Sequence, residues 1–253
     1  MRAAFFTLGC KLNQSESEAL ASSFASRGFF IVPPTDTADI YIFNTCTVTG
    51  MAEQKARRMI RKAARENPEA VVLVTGCYAQ LEGGEAGELA KNVVVVGQHE
   101  KDMLLDLPRF LERRCAEESA NFQDADGAVL KGGEGGTFSA EEVRNCIHRL
   151  REGRLEPHGG GGEEKLSPFR YDADTYSFHS RAFLKIQDGC DRSCAYCRVP
   201  LARGASVSLD TKTVLERALH IEESGYREVV LTGVNITSYR DASAGLPELI
   251  ELL

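Results

Sequence analysis

Cys190-Asp191-Arg192-Ser193-Cys194-Ala195-Tyr196-Cys197 places three thiols on one short stretch in a C-x3-C-x2-C pattern. Three thiolates held this closely can bind three irons of a 4Fe-4S cluster and leave the fourth iron open to a small molecule, whereas a complete set of four suits electron transfer. Zinc is the chemical competitor, because soft thiolates bind it too. Structural zinc takes four ligands, commonly in paired C-x2-C spacing, and no fourth ligand is evident near this run. Three cysteines in eight residues is far above ordinary usage, which argues against three unrelated thiols.

The elements that must position such a loop are legible as strands and helices. Residues 2–8 form an apolar run that ends at Gly9-Cys10. Residues 13–27 then read as a helix, with Asn13 as N-cap, Glu16 three residues later and Gly28 beyond the end. Further strands are expected at 28–32, stopped by Pro33-Pro34, at 39–44, ending at Thr45-Cys46, at 70–75, ending at Gly76-Cys77, and at 93–96. Helices are expected at 51–66 and 101–113. Alternating strands and helices imply an α/β fold with a doubly wound parallel sheet. Open sheets of that kind bind ligands beyond the C-terminal ends of their strands. Cys10, Cys46 and Cys77 all fall there, so parallel strands would gather them on one rim as a second three-thiolate metal site. Each one alone reads as a small buried hydrophobe.

The helix at 51–66 carries Lys55, Arg57, Arg58, Arg61, Lys62 and Arg65. Lys55, Arg58, Lys62 and Arg65 share one face at helical spacing, a positive stripe able to hold phosphates. A solvated helix face fits the same pattern, and Glu53 and Glu66 dilute it.

From 115 to 179 the composition shifts to glycine, with Gly132-Gly133-Glu134-Gly135-Gly136 and the run Gly159 to Gly162. This reads as a flexible linker with one helix at 139–152. None of its glycines follows a strand in the manner of a phosphate loop. Cys115 and Cys146 are expected as free thiols, and His148 and His158 as solvent-facing. The chain thus divides into an N-terminal domain at 1–114, a linker at 115–179 and a second folded segment at 180–253. In that segment a strand at 181–187 delivers the chain to Asp188-Gly189 and the three-cysteine loop, followed by Pro200-Leu-Ala-Arg203-Gly204. Thr213 and Glu216 read as a capping box for a helix ending before Gly225. A further parallel strand is expected at 228–234 and a helix from 247.

Composition bounds the function. The chain has 253 residues, 43% of them hydrophobic, enough for real cores. No apolar run approaches the ~20 residues that span a bilayer, and no signal-type segment follows Met1. A cytoplasmic protein without membrane contact is expected, and eight cysteines in that setting read as metal-binding or catalytic thiols rather than disulfides. The formal charge of -7 argues against binding nucleic acid with the whole surface and leaves only a local basic patch.

Four motifs now stand in order: Thr-Leu-Gly-Cys-Lys-Leu-Asn-Gln at 7–14, Asn-Thr-Cys-Thr-Val-Thr at 44–49, Thr-Gly-Cys-Tyr-Ala-Gln at 75–80, and Lys-Ile-Gln-Asp-Gly-Cys running into Cys197, continued by Pro-Leu-Ala-Arg-Gly. With these the chain resembles the radical S-adenosylmethionine (SAM) methylthiotransferases over 1–113 and 180–253. The Leu-Gly-Cys-Lys-Leu-Asn form is most like the branch acting on N6-threonylcarbamoyladenosine at tRNA position 37. The resemblance implies two 4Fe-4S clusters and SAM as cofactors. Cys190, Cys194 and Cys197 would bind the cluster whose open iron takes SAM. Reductive cleavage of SAM would give a 5'-deoxyadenosyl radical that removes hydrogen from C2 of the adenine. Cys10, Cys46 and Cys77 would hold an auxiliary cluster that presents the sulfur, methylated by a second SAM. Thr232, Gly233 and Asn235 match the family's SAM-proximal segment. The implied partners are tRNA and an electron-donor protein.

Three features depart from the family's pattern. The glycine-rich linker is long, Arg198 stands where an apolar residue is common, and Val207 where an arginine often lies. The family's catalytic domain is a partial (β/α)6 barrel followed by a small β-rich RNA-binding domain, and only the first strands of that barrel are present. The expectation is therefore an incomplete radical SAM (β/α) barrel in a C-terminally truncated chain, inactive alone unless a separate polypeptide supplies the missing barrel. Two other readings stand beside the enzyme: a non-catalytic iron-sulfur-binding fragment, and a zinc-stabilised tRNA-binding accessory protein.

Overall fold

The apolar runs pair side by side in a computed structural model that describes residues 1–112, 138–152, 168–171, 178, 181–242 and 244–253. Strands β1 (Arg2–Thr7), β2 (Phe30–Val32), β3 (Ile40–Thr45), β4 (Val71–Gly76) and β5 (Val93–Val95) form one parallel sheet in the order β2-β1-β3-β4-β5. Every residue of β3 and β4 is buried, as expected of central parallel strands covered on both faces. Alternation sorts their side chains. Ile40, Ile42, Val71 and Leu73 join the core on one face, and Tyr41, Phe43, Val72 and Val74 the core on the other.

Helix α1 (Lys11–Ser26), a 3-10 helix (Gln98–Leu105) and α5 (107–112) cover the first face. Helix α2 (Gly50–Glu66) with the short α3 (Cys77–Leu81) and α4 (Gly83–Gly87) covers the second. The sheet is doubly wound as expected, while the single helix expected at 101–113 is divided into the 3-10 helix Gln98–Leu105 and α5. The stop at Pro68 is also clear: α2 ends at Glu66, and the Asn67 amide bonds back to the Ala63 carbonyl at 3.0 Å.

Part of the segment expected as a linker is folded into the first core. Helix α6 (Ala140–Arg151) begins with a capping box between Ser139 and Glu142, and its Val143, Cys146, Ile147 and Leu150 belong to the first core together with Phe138. A single helix among glycines reads as isolated, but its apolar stripe at helical spacing finds the sheet face beside α5. Cys146, expected as a free thiol in an unpatterned region, is thus a buried core residue. His148 faces solvent as expected, 3.7 Å from Glu152. Cys115 and His158 lie outside the described residues.

Arg170 fastens this region to the 3-10 helix through Asp102, at 3.4 Å, and Asp106, at 2.9 Å. Burial raises the Asp102 carboxyl to about 6 despite Arg170 beside it. The folded chain thus binds this proton more tightly than the unfolded chain does. Between about pH 4 and pH 6 that contribution to stability falls as pH rises. Urea denaturation of wild type and Asp102→Asn across this window should show the variant gaining on wild type with rising pH. A constant difference between the two would sink the assignment.

The second segment is smaller. Strand β6 (Ala182–Lys185) pairs in parallel with β9 (Val229–Thr232), and β7 (Gln187–Asp188) pairs antiparallel with β8 (Val207–Ser208). Helix α7 (Val199–Arg203) follows the cysteine loop, α8 (Thr211–Glu223) packs on β6, and α9 (Leu246–Leu252) closes the described chain. Leu184, Ile186, Val214, Ile221 and Leu249 form its core. The cap of α8 differs from expectation. Asp210 is the N-cap and accepts from the Thr213 amide at 2.9 Å, so Thr213 sits inside the helix rather than at its cap. Among the described residues no helix is long and apolar enough to cross a membrane.

Candidate metal centre

The sheet order reverses between β1 and β3, and the crevice at such a switch point lies beyond the strands' C-terminal ends. Cys10 follows β1, Cys46 follows β3 and Cys77 opens α3 directly after β4. Register carries them together. Thr45 pairs with Gly76, which makes Cys46 and Cys77 the next residues on neighbouring strands, and the Leu8 amide bonds the Asn44 carbonyl at 2.8 Å. Gly9 lets β1 come in close: its φ is +119°, and a Cβ there would stand 2.7 Å from Cys46 Cβ and 3.0 Å from Cys46 Sγ. The structure thus brings the three N-terminal cysteines to one edge, Cys10 exposed and Cys46 and Cys77 buried.

The loop at Cys190 is held at both ends. The Gly189 amide bonds Asp188 Oδ1 at 2.7 Å, the Cys190 amide bonds the Gly204 carbonyl at 3.1 Å, and the Cys197 amide bonds the Cys194 carbonyl at 3.0 Å. Cys194 and Cys197 are exposed, and Tyr196 between them is 97% exposed. Asp191 Oδ1 accepts from the Ser206 amide at 2.9 Å, which closes the loop onto the segment after α7. Arg198, in its unusual place, reaches Glu53 of α2 at 2.8 Å and Glu82 at 2.5 Å, tying the loop to the N-terminal domain.

Gln187 orders the segment ending in Asn235. Its Nε2 donates to the carbonyls of Asp188 and Gly189, both at 2.8 Å, while its Oε1 accepts from the Asn235 amide at 2.8 Å. Gly233 leaves room for it, since a Cβ there would meet Gln187 Oε1 at 2.9 Å. Thr232 is buried, with its hydroxyl 3.4 Å from the Leu184 carbonyl.

A group of buried charges that the sequence conceals lies between the two sets of cysteines. Asn13 and Glu16 do not cap α1. Cys10 occupies the N-cap position without a side-chain bond, and Asn13 and Glu16 are fully buried one turn further in. Glu16 receives Lys185 Nζ at 2.8 Å and Arg203 Nη1 at 3.0 Å, and it also pairs with Lys101 Nζ. Lys185 and Arg203 both reach Asp188, at 2.6 Å and 3.0 Å. Lys101 also donates to Asn44 Oδ1 at 2.8 Å. Burial alone would raise the Glu16 carboxyl, but Arg203, Lys101 and Lys185 together hold it well below the usual carboxylate range. Burial pushes the Cys77 thiol up, against the pull of the Arg203 and Lys101 charges.

The donor set fits iron-sulfur chemistry: six soft thiols in two groups of three, none of them in a disulfide. Thr75 Oγ1, at the same sheet edge, is buried without a hydrogen-bond partner among the described residues. Among those residues no three His, Cys, Asp or Glu side chains stand as a ready cage for a single ion. A cluster of four irons is larger than one ion and needs its thiolates further apart, so that spacing bears on a single-ion site.

The basic helix is as exposed as its pattern implies. Lys55, Arg58, Arg61, Lys62 and Arg65 of α2 face solvent. Arg57 is drawn aside to Glu85 at 3.4 Å, and Glu53 turns in toward Thr47 and Arg198. Glu66 remains near Lys62, at 3.9 Å.

Residues 2–97 match the Uncharacterized protein family UPF0004, and residues 184–253 match the Radical SAM superfamily. Cys10, Cys46 and Cys77 lie within the first match, and Cys190, Cys194 and Cys197 within the second. The chain thus carries a UPF0004 segment followed by a Radical SAM segment. The Radical SAM match implies SAM and a 4Fe-4S cluster. Among curated methylthiotransferases to which the chain is similar, the Threonylcarbamoyladenosine tRNA methylthiotransferase MtaB of Treponema pallidum is 37% identical over 98% of this chain and 56% of its own length. The protein of the same name from Aquifex aeolicus is 34% identical, over 94% and 49%. A tRNA-2-methylthio-N(6)-dimethylallyladenosine synthase from Amoebophilus asiaticus is 31% identical, over 92% and 40%. The chain therefore spans about half the length of the curated relatives it matches. A solved radical S-adenosylmethionine methyltransferase, TsrM from Kitasatospora setae, is a distant likeness at 13% identity and a TM-score of 0.45, covering 94% of this chain and 48% of that one.

Proposed function

We propose that this chain serves a methylthiotransferase that modifies C2 of N6-threonylcarbamoyladenosine at tRNA position 37. The observation that carries this reading is that one buried ion cluster joins the edge bearing Cys10, Cys46 and Cys77 to the loop bearing Cys190, Cys194 and Cys197. A reaction that activates carbon at one site and delivers sulfur from another needs such a union. Identity to threonylcarbamoyladenosine enzymes runs from 28% to 37% and to dimethylallyladenosine enzymes from 30% to 31%, so the choice of base rests on the Leu-Gly-Cys-Lys-Leu-Asn form of the first motif together with the relatives at 37% and 34%.

In this reading Cys190, Cys194 and Cys197 hold the SAM-binding 4Fe-4S cluster, and Cys10, Cys46 and Cys77 hold a second one. The chemistry supplied there, with cofactors bound, is one-electron cleavage of the SAM sulfonium and provision of the sulfur. The chain's own residues do the rest. Gly189 and Asp188 set the direction of the loop, and Gln187 fixes Gly233 and Asn235 for the methionyl end of SAM. Arg198 clamps the loop to α2. The exposed cations of α2 take tRNA phosphates, a local contact compatible with the net charge of -7. An electron-donor protein is the remaining partner.

Anaerobic reconstitution with iron and sulfide tests this first. About eight irons per chain are expected from two three-thiolate sites. With SAM and a reductant, the reconstituted protein should release 5'-deoxyadenosine. In cells lacking the gene, tRNA should carry N6-threonylcarbamoyladenosine without its 2-methylthio group. A colourless chain holding only zinc, or tRNA whose methylthio group persists, would reject the reading.

A further inference from the structure

Glu16 and Asp188 stand among Lys101, Lys185 and Arg203, all on side chains no more than 3% exposed. Asp102 and Asp106, also buried, share the cation Arg170 at the border of this group, where Lys101 and Lys185 lie over the Tyr171 ring. Arg203 is the member that reaches both cysteine-bearing edges. Its Nη1 serves Glu16 Oε1 and both Asp188 oxygens, each at 3.0 Å, while Nη2 bonds Asn13 Oδ1 at 2.6 Å and Glu16 Oε2 at 3.2 Å. The same guanidinium lies close enough to Cys77 for its charge to oppose the effect of burial on that thiol. Asn13 Oδ1 lies 3.8 Å from Cys10 Sγ, and Asn13 Nδ2 bonds the Thr45 carbonyl, one residue before Cys46, at 3.1 Å. One guanidinium therefore stands behind all three N-terminal cysteines. It belongs to α7, which begins two residues after Cys197, and its carboxylate partner Asp188 lies two residues before Cys190. Only the planar five-donor fork of arginine can serve so many acceptors from one position.

We propose that Arg203 is a positioning residue that locks the Cys10, Cys46 and Cys77 edge to the Cys190 loop, and that its positive charge answers the negative charge of a thiolate-bound group at Cys77. The proposal rests on the reading of those three cysteines as cluster ligands. It assigns Arg203 a task that neither the ligands nor the SAM contacts account for: tuning how tightly the N-terminal cluster is held and how readily it is reduced.

The test uses the whole chain with Cys190, Cys194 and Cys197 replaced by alanine, so that only the N-terminal set can load iron. This parent should take up about four irons. In it, Arg203→Met keeps the bulk but loses charge and fork, and Arg203→Lys keeps the charge alone. Under chelator challenge both variants should hold iron about 10- to 100-fold more weakly than the parent. Midpoint potentials followed by electron paramagnetic resonance should move to more negative values in Arg203→Met and return toward the parent in Arg203→Lys. Circular dichroism confines both readings to folded protein. Iron retention and midpoint unchanged in folded Arg203→Met would overturn the proposal. Failure of both variants to fold would overturn it too, because the residue would then be a structural anchor. A parent that takes no iron would instead reject the underlying assignment of Cys10, Cys46 and Cys77.

Discussion

Replacing Glu16 with alanine should cost about 3–5 kcal/mol of stability, because it leaves three buried cations facing Asp188 alone. Set against the about 5–15 kcal/mol that holds a typical domain together, this is enough to bring the chain near unfolding. Glu16 is the hub: Lys101 comes from the first-face helices, Lys185 and Arg203 from the second segment, and all three meet on this one carboxylate of α1. Urea denaturation of the metal-free chain, followed by circular dichroism, should show the midpoint drop for Glu16→Ala and, in the same direction, for the isosteric Glu16→Gln. A midpoint within error of wild type would remove the ion cluster from any account of stability. Acid should act similarly. The Glu16 and Asp188 carboxyls are held below their ordinary values, so the stability they add is present above about pH 4 and lost as pH falls through their folded values. That slope is opposite in sign to the one Asp102 contributes.

Gly189→Ala should empty the Cys190 loop of iron while leaving the N-terminal sheet folded. Gly189 has a φ of +68°, and a Cβ on it would lie 1.8 Å from the Ala205 carbonyl oxygen, a contact that only backbone movement can relieve. The movement falls on the residue before Cys190 and on the strand pair β7 and β8 that frames the loop. About half the iron of the reconstituted chain should be lost, the share of one of two clusters. Gly225→Ala is the control. Its φ is also positive, at +91°, but nothing lies within 4 Å of the added methyl, so only the backbone penalty of about 1–2 kcal/mol remains and iron should be retained. Full iron content in Gly189→Ala would show that the loop tolerates a displaced entry and that its geometry is not set there.

The core of the sheet was readable because buried parallel strands are written as unbroken apolar runs. Val71 to Val74 and Ile40 to Phe43 can be little else. The glycines before Cys10 and Cys77 punctuate those runs and mark where the edge lies. Asn13 and Glu16 were not readable in the same way. An Asn followed by a Glu three residues on is the pattern of a helix cap, and it is equally the spacing that puts two polar groups on one buried face. What decides between them is what packs on that face, and β6 and α7 are far away in sequence. Thr213 and Glu216 offered a similar pattern, and Asp210, one turn earlier, took the cap. Helix α6 was visible as a helix but not as part of the core, since glycine on both sides carries no information about what its apolar stripe meets.

The sequence by itself determined the donor chemistry. Thiol type, the C-x3-C-x2-C spacing and the placement of Cys10, Cys46 and Cys77 after strands are local properties, and parallel pairing turns the last of these into a shared edge. Only the tertiary structure decided how the two edges face each other. Salt bridges between Glu16 and Lys101, Lys185 and Arg203 join residues whose charges look, along the chain, like ordinary surface residues. Burial is what distinguishes them, because a charge removed from water must be paired, and pairing is a property of the folded whole rather than of any stretch of it.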